Sequence, residues 1–477
     1  MSTPTSAIRV PIRLGARGVV SMTGLVVATL GATLPQAMTA PVLGITADAF
    51  GVTTGDATWA LTITLVVAVA TTPVIGRMGD AYGARRTLLM VLPLVALGLF
   101  ITAIAPTLGW LIAGRAILGV GGGVFPLAIA AVPRLVPEHN RAGAVGLVTA
   151  MFATGIGFGV LVSGLLVDHI GIRATAWVPF AIVVASWVVL ASALPHIPRR
   201  RNVHVELRAA LSLAVGVIAV LLAFTEAPRW PSPWWWIIAL VLIATVALCY
   251  WFFRERVSPD PLLGAPTLRL RGVWATQLTA FLLGAALLGI YVLIPAFAEA
   301  PSGDEAGLSA SVTLAALLLL PATIAMLVVG PLSGVLRRWI GTRAPVILGA
   351  ATAAAGALVM IIAPRELITL LLGTVLLGAG IAAASAGLVN VLIDHVDEQH
   401  VGAATGLTVV ARQLGGAVGA SMIAALIAIQ SSEPDGDVYA AAFSAITAIT
   451  VLAVLSALLI PSGTTSTLRR VRSRLAR

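Results

Sequence analysis

Only 10% of the residues are charged, and the charged and polar side chains that stand in recognisable patterns lie beside or inside apolar runs. They are Arg77, Asp80, Arg85 and Arg86 in Gly76-Arg-Met-Gly-Asp80-Ala-Tyr-Gly83-Ala-Arg85-Arg86, then Arg115, and then the pair Arg412-Gln413. A carboxylate among arginines in a glycine-rich turn suits ion pairing or the capping of a neighbouring helix start. It does not supply a nucleophile with its base. The six histidines, His139, His169, His196, His204, His395 and His400, all fall between the apolar runs, with no metal-ligand spacing and no paired nucleophile. No metal site, no cofactor and no enzymatic centre is therefore expected. No phosphate-cradling loop for ATP is present either.

The elements that must position these groups follow from composition. Of 477 residues, 59% are hydrophobic and 10% charged, and the mean hydropathy is +1.03. A soluble domain of this length has no core large enough for that much apolar surface, so an integral membrane protein is expected. The runs are apolar all round, which predicts helices and excludes the alternating strands of a barrel. Fourteen spans are predicted: 18–40, 58–78, 88–106, 108–132, 143–166, 174–194, 209–227, 234–253, 273–298, 309–335, 345–363, 367–392, 403–430 and 438–460. The net charge of +10 is scattered through turns, with no basic face interleaved with aromatics, so nucleic acid is not an expected partner.

All 29 basic residues are arginine, and they report orientation. With the N-terminus cytoplasmic, the outer loops hold only Arg173, Arg229 and Arg365. Both basic tails, 1–17 and 461–477, then lie on the cytoplasmic side of a cell (inner or plasma) membrane. Trp59, Trp110, Trp230, Trp234, Trp235 and Trp236 stand near span ends and read as interfacial anchors. The single cysteine, Cys249, lies inside a span and excludes a disulfide within the chain.

The chain also repeats itself. Pro73, Gly76, Gly83 and Arg85 recur with the same spacing as Pro331, Gly334, Gly341 and Arg343, and Gly155 and Gly159 recur as Gly415 and Gly419. Spans 1 to 6 (18–194) thus match spans 9 to 14 (273–460). Spans 7 and 8, within the linker 195–272, have no counterpart in either half. Two related bundles that rock against each other give a site alternating access to the two sides of a membrane.

The turn containing Asp80 resembles the loop motif between the second and third helices of the major facilitator superfamily. The resemblance implies that Asp80, Arg77 and Arg85 lock the cytoplasmic ends of the halves together; Arg338 stands at the matching place in the second copy, so any lock is asymmetric. Arg115-Ala-Ile-Leu-Gly119-Val-Gly-Gly-Gly123 resembles the fourth-helix motif of that superfamily's drug:proton antiporters, whose arginine is linked to proton coupling. Its insertion costs roughly 2.5–3.5 kcal/mol, so a partner or a wet cavity is expected unless the side chain snorkels to the interface. Gly155, Gly159 and Gly164 resemble an exporter motif of the fifth helix, although Val160 replaces its proline and Ser163 a glycine, and close helix packing explains the spacing as well. Thr405 to Gly419 looks like the corresponding helix of the fourteen-helix drug:proton antiporter branch. The expected fold is thus an all-α major-facilitator type, two six-helix bundles plus two extra helices.

In one respect the chain departs from that branch: Val26 stands where the first helix usually has an aspartate. Glu226 and Glu299, at span ends, remain as coupling candidates beside Arg115, with Asp48 and Asp56 in the first outer loop. Polar residues that can line a central cavity are Gln36, Thr64, Gln277, Tyr291, Asn390, Arg412 and Gln413; each can equally satisfy a bond between helices. Without a buried carboxylate, neutral or amphiphilic substrates fit better than dications. The expected function is export of drugs or amphiphilic small molecules, driven by the proton gradient, by a functional monomer whose other partners are membrane lipids. A lipid translocase of the same fold and a nutrient importer are the alternatives.

Overall fold

A computed structural model describes residues 16–39, 41–195, 206–225, 235–258, 261, 263–300, 308–310, 312–362, 366–397, 400–430 and 439–461. Glu226, most of both tails and Trp230 and Trp234 lie outside the described residues. In chain order the helices are α1 (Ala16–Thr39), α2 (Leu43–Phe50), α3 (Thr54–Tyr82), α4 (Ala84–Ile104), α5 (Leu108–Gly119), α6 (Val124–Leu135), α7 (Glu138–His169), α8 (Ala174–Ala193) and α9 (Leu207–Thr225). They continue as α10 (Trp235–Val257), α11 (Ala265–Leu268), α12 (Arg271–Glu299), α13 (Val312–Leu317), α14 (Leu320–Ile340), α15 (Ala344–Ile362), α16 (Leu367–His395), α17 (Val401–Gln430) and α18 (Ala440–Leu458). The described residues contain no strand. In hydrocarbon each backbone group must find its partner within the segment, and a helix does that without a neighbour.

Among the described residues twelve helical stretches, not fourteen, are long and apolar enough to cross a membrane, α5 and α6 counting together as Leu108–Leu135. The two predicted spans that fall short are shorter apolar helices, Arg208–Ala223 and Leu320–Gly334. For the second the reason is local. The predicted span 309–335 breaks at Leu318–Leu319 into α13 and α14, where Pro321 opens a new helix because it lacks the N–H that would continue the old one. The predicted span 108–132 is interrupted more gently, by a 3-10 turn over Val120–Gly123 that joins α5 to α6. There Gly119 and Gly122 let α3 approach: a Cβ on Gly119 would lie 2.8 Å from the Thr64 carbonyl oxygen.

Each half has its own apolar core. Leu25, Leu88, Leu92, Leu118 and Leu190 are buried together in the first half, and Leu283, Leu293, Ile381 and Ile446 in the second, where Phe297 meets Tyr439 and Phe443 edge-on at 5.2 and 5.4 Å. The halves meet along two equivalent seams, α3 with α17 and α7 with α14. The repeated residues form both. A Cβ on Gly406 would lie 3.1 Å from Pro73 Cα, and one on Gly146 would lie 3.2 Å from Pro331 Cα. Small residues at these crossings let the backbones touch, which is how helices gain contact in lipid.

The unpaired helices take one side of this arrangement. Ala209, Leu213 and Val217 of α9 bury themselves against Val69 of α3 and Val410 of α17, so α9 lies across a seam and touches both halves. By contrast, α10 packs on α9 and turns Trp235, Leu242, Val246 and Phe253 outward, as a lipid-facing helix does. The base of the pair is clasped by charge: Arg254 pairs with Glu206, and Glu255, itself buried, accepts the backbone N–H of Leu263 at 3.1 Å and of Gly264 at 2.7 Å.

Candidate functional site

Asp80 stands in the last turn of α3, which ends because Gly83 takes a φ of 93° that only glycine adopts without strain. Gly341, at the same place in the second copy, has a φ of 85°. From that last turn the Asp80 carboxylate crosses the seam, where Oδ1 accepts the backbone N–H of Gly402 at 3.0 Å and Oδ2 that of Ala403 at 2.9 Å. These are orphan donors in the first turn of α17, and a negative charge there also meets the positive end of the helix dipole. The contact needs glycines: a Cβ on Gly402 would lie 2.8 Å from Asp80 Oδ1, and one on Gly76 would strike the Gly402 carbonyl. Across the other seam, Gly334 approaches Ala142 and Gly143 of α7 as Gly76 approaches Gly402 and Ala403.

The arginines of the repeat also reach the ends of other helices. Arg85 Nη2 donates to the Ala191 carbonyl at 3.0 Å, in the last turn of α8, and Arg343 Nη2 donates to the Leu458 carbonyl at 2.5 Å, at the end of α18. Each shared arginine thus ties the third helix of its half to the C-terminal end of the sixth, within one half. Arg77 is buried on α3 one turn before Asp80, and Arg86 is exposed. In the second half Nη2 of Arg337 donates to both carboxylate oxygens of Asp394, at 2.9 Å each. Asp394 escaped the sequence reading because it lies just beyond the predicted end of its span and reads as a loop acid.

Several cavity and coupling candidates hydrogen-bond from one helix to another. Arg115 is buried, and its Nη1 donates to the Pro35 carbonyl at 2.9 Å and to Thr39 Oγ1 at 2.6 Å, holding α5 to α1 rather than snorkelling. Thr64 donates to Ala60 O at 2.9 Å and to Arg115 O at 3.3 Å, so it joins α3 to α5. Asn390 is buried, with Nδ2 on Ala386 O at 2.9 Å and Oδ1 accepting from Arg337 at 3.2 Å. Gly155 and Gly159 pack α7 on α1 at Thr33 and Ala37, whereas a Cβ on Gly164 would meet nothing within 4 Å.

A second group faces the seam. Arg412, on α17 of the second half, holds its guanidinium carbon 4.3 Å above the centre of the Phe152 ring and 6.0 Å from that of Phe125, both in the first half. Its Nη2 is buried with no hydrogen-bond partner, and so are Oε1 of Gln413 and both amide atoms of Gln277. Tyr291 shares a hydrogen bond of 3.3 Å with Thr323, the residue that the Cα of Gly157 faces across the α7–α14 seam. Gln36 is half-buried on α1. Phe125, Phe152 and Thr323 were missed in the sequence, where nothing separates a seam-facing aromatic from a lipid-facing one.

The acidic candidates are peripheral. Glu299 is exposed as the last residue of α12, Asp48 is exposed on α2, and Asp56 is exposed as the third residue of α3, where it closes a capping box with Thr53. Among the described residues no carboxylate stands in the middle of a span.

Residues 25–211 and 206–420 match the profile of the Major Facilitator Superfamily. The chain belongs to that superfamily. It is accordingly a multi-pass membrane protein of a family of transporters rather than enzymes. Among relatives, an uncharacterized MFS-type transporter of Mycobacterium tuberculosis is 28% identical over 439 residues, covering 89% of this chain and 62% of the relative. Multidrug resistance protein Stp of the same species is 27% identical over 359 residues, covering 74% of this chain and 65% of the relative. The chain therefore spans under two thirds of the length of these relatives. In three dimensions it is similar to the human organic anion transporter MFSD10, with a TM-score of 0.65 at 17% identity over 92% of this chain and 99% of the other, a likeness of fold alone.

Proposed function

We propose that this superfamily member exports small amphiphilic molecules across the cell membrane by alternating access, exchanging them for protons. The observation that carries the reading is the Asp80 carboxylate, which joins the halves by accepting the backbone N–H groups of Gly402 and Ala403. Taking the arginine-rich end as cytoplasmic, this contact seals the inner side and opens when the halves rock. Arg115, hydrogen-bonded to α1 beside Pro35, is the group through which proton coupling would reach the first helix. In this reading both tails are cytoplasmic, the bundles are 18–194 and 273–460, and the two shorter apolar helices also cross, giving the fourteen spans of the drug:proton antiporter branch. Multidrug resistance protein Stp, at 27% identity, favours efflux over uptake.

The test is growth of a pump-deficient host expressing the chain across a compound panel, with and without a proton uncoupler. Raised tolerance to amphiphiles that the uncoupler removes is the expected result. Unaltered tolerance across the panel overturns export, and tolerance that survives the uncoupler overturns proton antiport.

A further inference from the structure

Arg115 and Arg412, each well inside a span, are held differently. Arg115 has a carbonyl and a hydroxyl on Nη1, leaves its buried Nε unpartnered, and joins two helices of the same half. Arg412 has no hydrogen bond on its buried Nη2 and no acidic partner among the described residues; its neighbours are the faces of Phe152 and Phe125 across the seam. The residue is half-buried, and a charged nitrogen kept from water without a counter-ion is unfavourable in the resting protein, whereas a fixed fork of donors matches a carboxylate or sulfonate. Nearby on the same helix, Gln413 Oε1 is also unpartnered, as are both amide atoms of Gln277 on the adjoining α12. A cation brought to the same place meets repulsion with no carboxylate among the described residues paired there to offset it.

We infer that the translocated molecule is an amphiphilic anion, its acidic group held by Arg412 and its apolar or aromatic body by Phe125 and Phe152. This rests on the exporter reading and sharpens it from amphiphiles in general to one charge class. The position suits transport as well as binding. Arg412 belongs to one half and the two rings to the other, so an anion that takes the guanidinium off the rings changes a contact between the bundles that must move.

The experiment uses three probes of one shape: 1-naphthoate, its carboxamide, and 1-naphthylmethylammonium. Equilibrium binding to the purified full chain in lipid nanodiscs is measured for wild type, Arg412→Gln and Arg412→Lys. The expected result is that wild type prefers the carboxylate over both others by tenfold or more, that Arg412→Gln brings the carboxylate-to-amide ratio close to one, and that Arg412→Lys retains most of it. A wild type that favours the ammonium, that shows no preference, or that binds none of the three overturns the inference. So does an Arg412→Gln ratio equal to wild type. If Arg412→Gln does not fold, the wild-type ratio and that of Arg412→Lys decide. Export has its own test in the efflux panel: resistance to cations and neutral compounds with no anion preference in binding sinks this inference alone, while an anion preference without efflux sinks only the exporter reading.

Discussion

The Asp80 carboxylate, at the end of α3, accepts the backbone N–H of Ala403 at 2.9 Å, at the start of α17. With the neighbouring bond from Gly402 it joins two residues more than 300 positions apart in the chain and in opposite halves. Charge-assisted bonds of this kind contribute about 1.5–3 kcal/mol each. Asp80→Ala removes both. Even the low end of that sum, about 3 kcal/mol, shifts the ratio of sealed to open states about 150-fold. In a Cys249→Ser background, a cysteine placed on the seam is therefore expected to react faster with a membrane-impermeant thiol reagent supplied from the arginine-rich side; labelling at the parent rate would show that Asp80 does not hold the seam.

Gly402→Ala tests the same contact from the other partner. The new Cβ lands 2.8 Å from Asp80 Oδ1, so the seam must part by several tenths of an ångström. Transport is expected to fall tenfold or more while the purified protein keeps a cooperative melt. Normal transport would mean that the close approach is dispensable.

The glycines of α7 divide into two kinds. At Gly159 a Cβ would lie 2.6 Å from Ala37 Cβ and 2.9 Å from the Leu34 carbonyl, so Gly159→Ala should cost about 1–3 kcal/mol through overpacking. At Gly164 nothing lies within 4 Å, and Gly164→Ala should be neutral or stabilising by up to about 1 kcal/mol. Melting temperatures in one detergent check the pair, and equal shifts would contradict the packing described for α7 and α1.

The bonds that Arg85 and Arg343 make within their own halves predict a shared structural effect. Each donates to a carbonyl at the end of the sixth helix of its own half, at 3.0 and 2.5 Å. Arg85→Gln and Arg343→Gln are each expected to lower stability by about 1–3 kcal/mol and to leave seam labelling at the parent rate. Faster labelling in Arg85→Gln alone would return that residue to the gate.

The extra helix α9 packs on both Val69 and Val410, so it must yield when those halves separate. Leu213→Ala removes apolar contact at that place and is expected to raise seam labelling without loss of folded protein. An unaltered rate would make α9 a passenger of one half.

What the sequence determined on its own is local or periodic. Apolar length sets the spans, because backbone in lipid has no solution but the helix; the repeat sets two equivalent bundles; and Gly83 and Gly341 mark turns that need a positive φ, as both have. A break such as Leu318–Leu319 lies within an apolar run, where hydropathy does not register it, although Pro321 marks the site. Partner choice was decided only in three dimensions. A side chain's reach is set by where other helices pass: Arg85 finds Ala191, Asp80 finds Gly402 and Ala403, Arg337 finds Asp394, and none of these distances is written in spacing along the chain. Arg115 and Arg412 look alike as charges inside apolar spans. Packing gave one a carbonyl and a hydroxyl within its own half and left the other on two aromatic faces across the seam, because α5 lies against α1 while α17 lies against the other half.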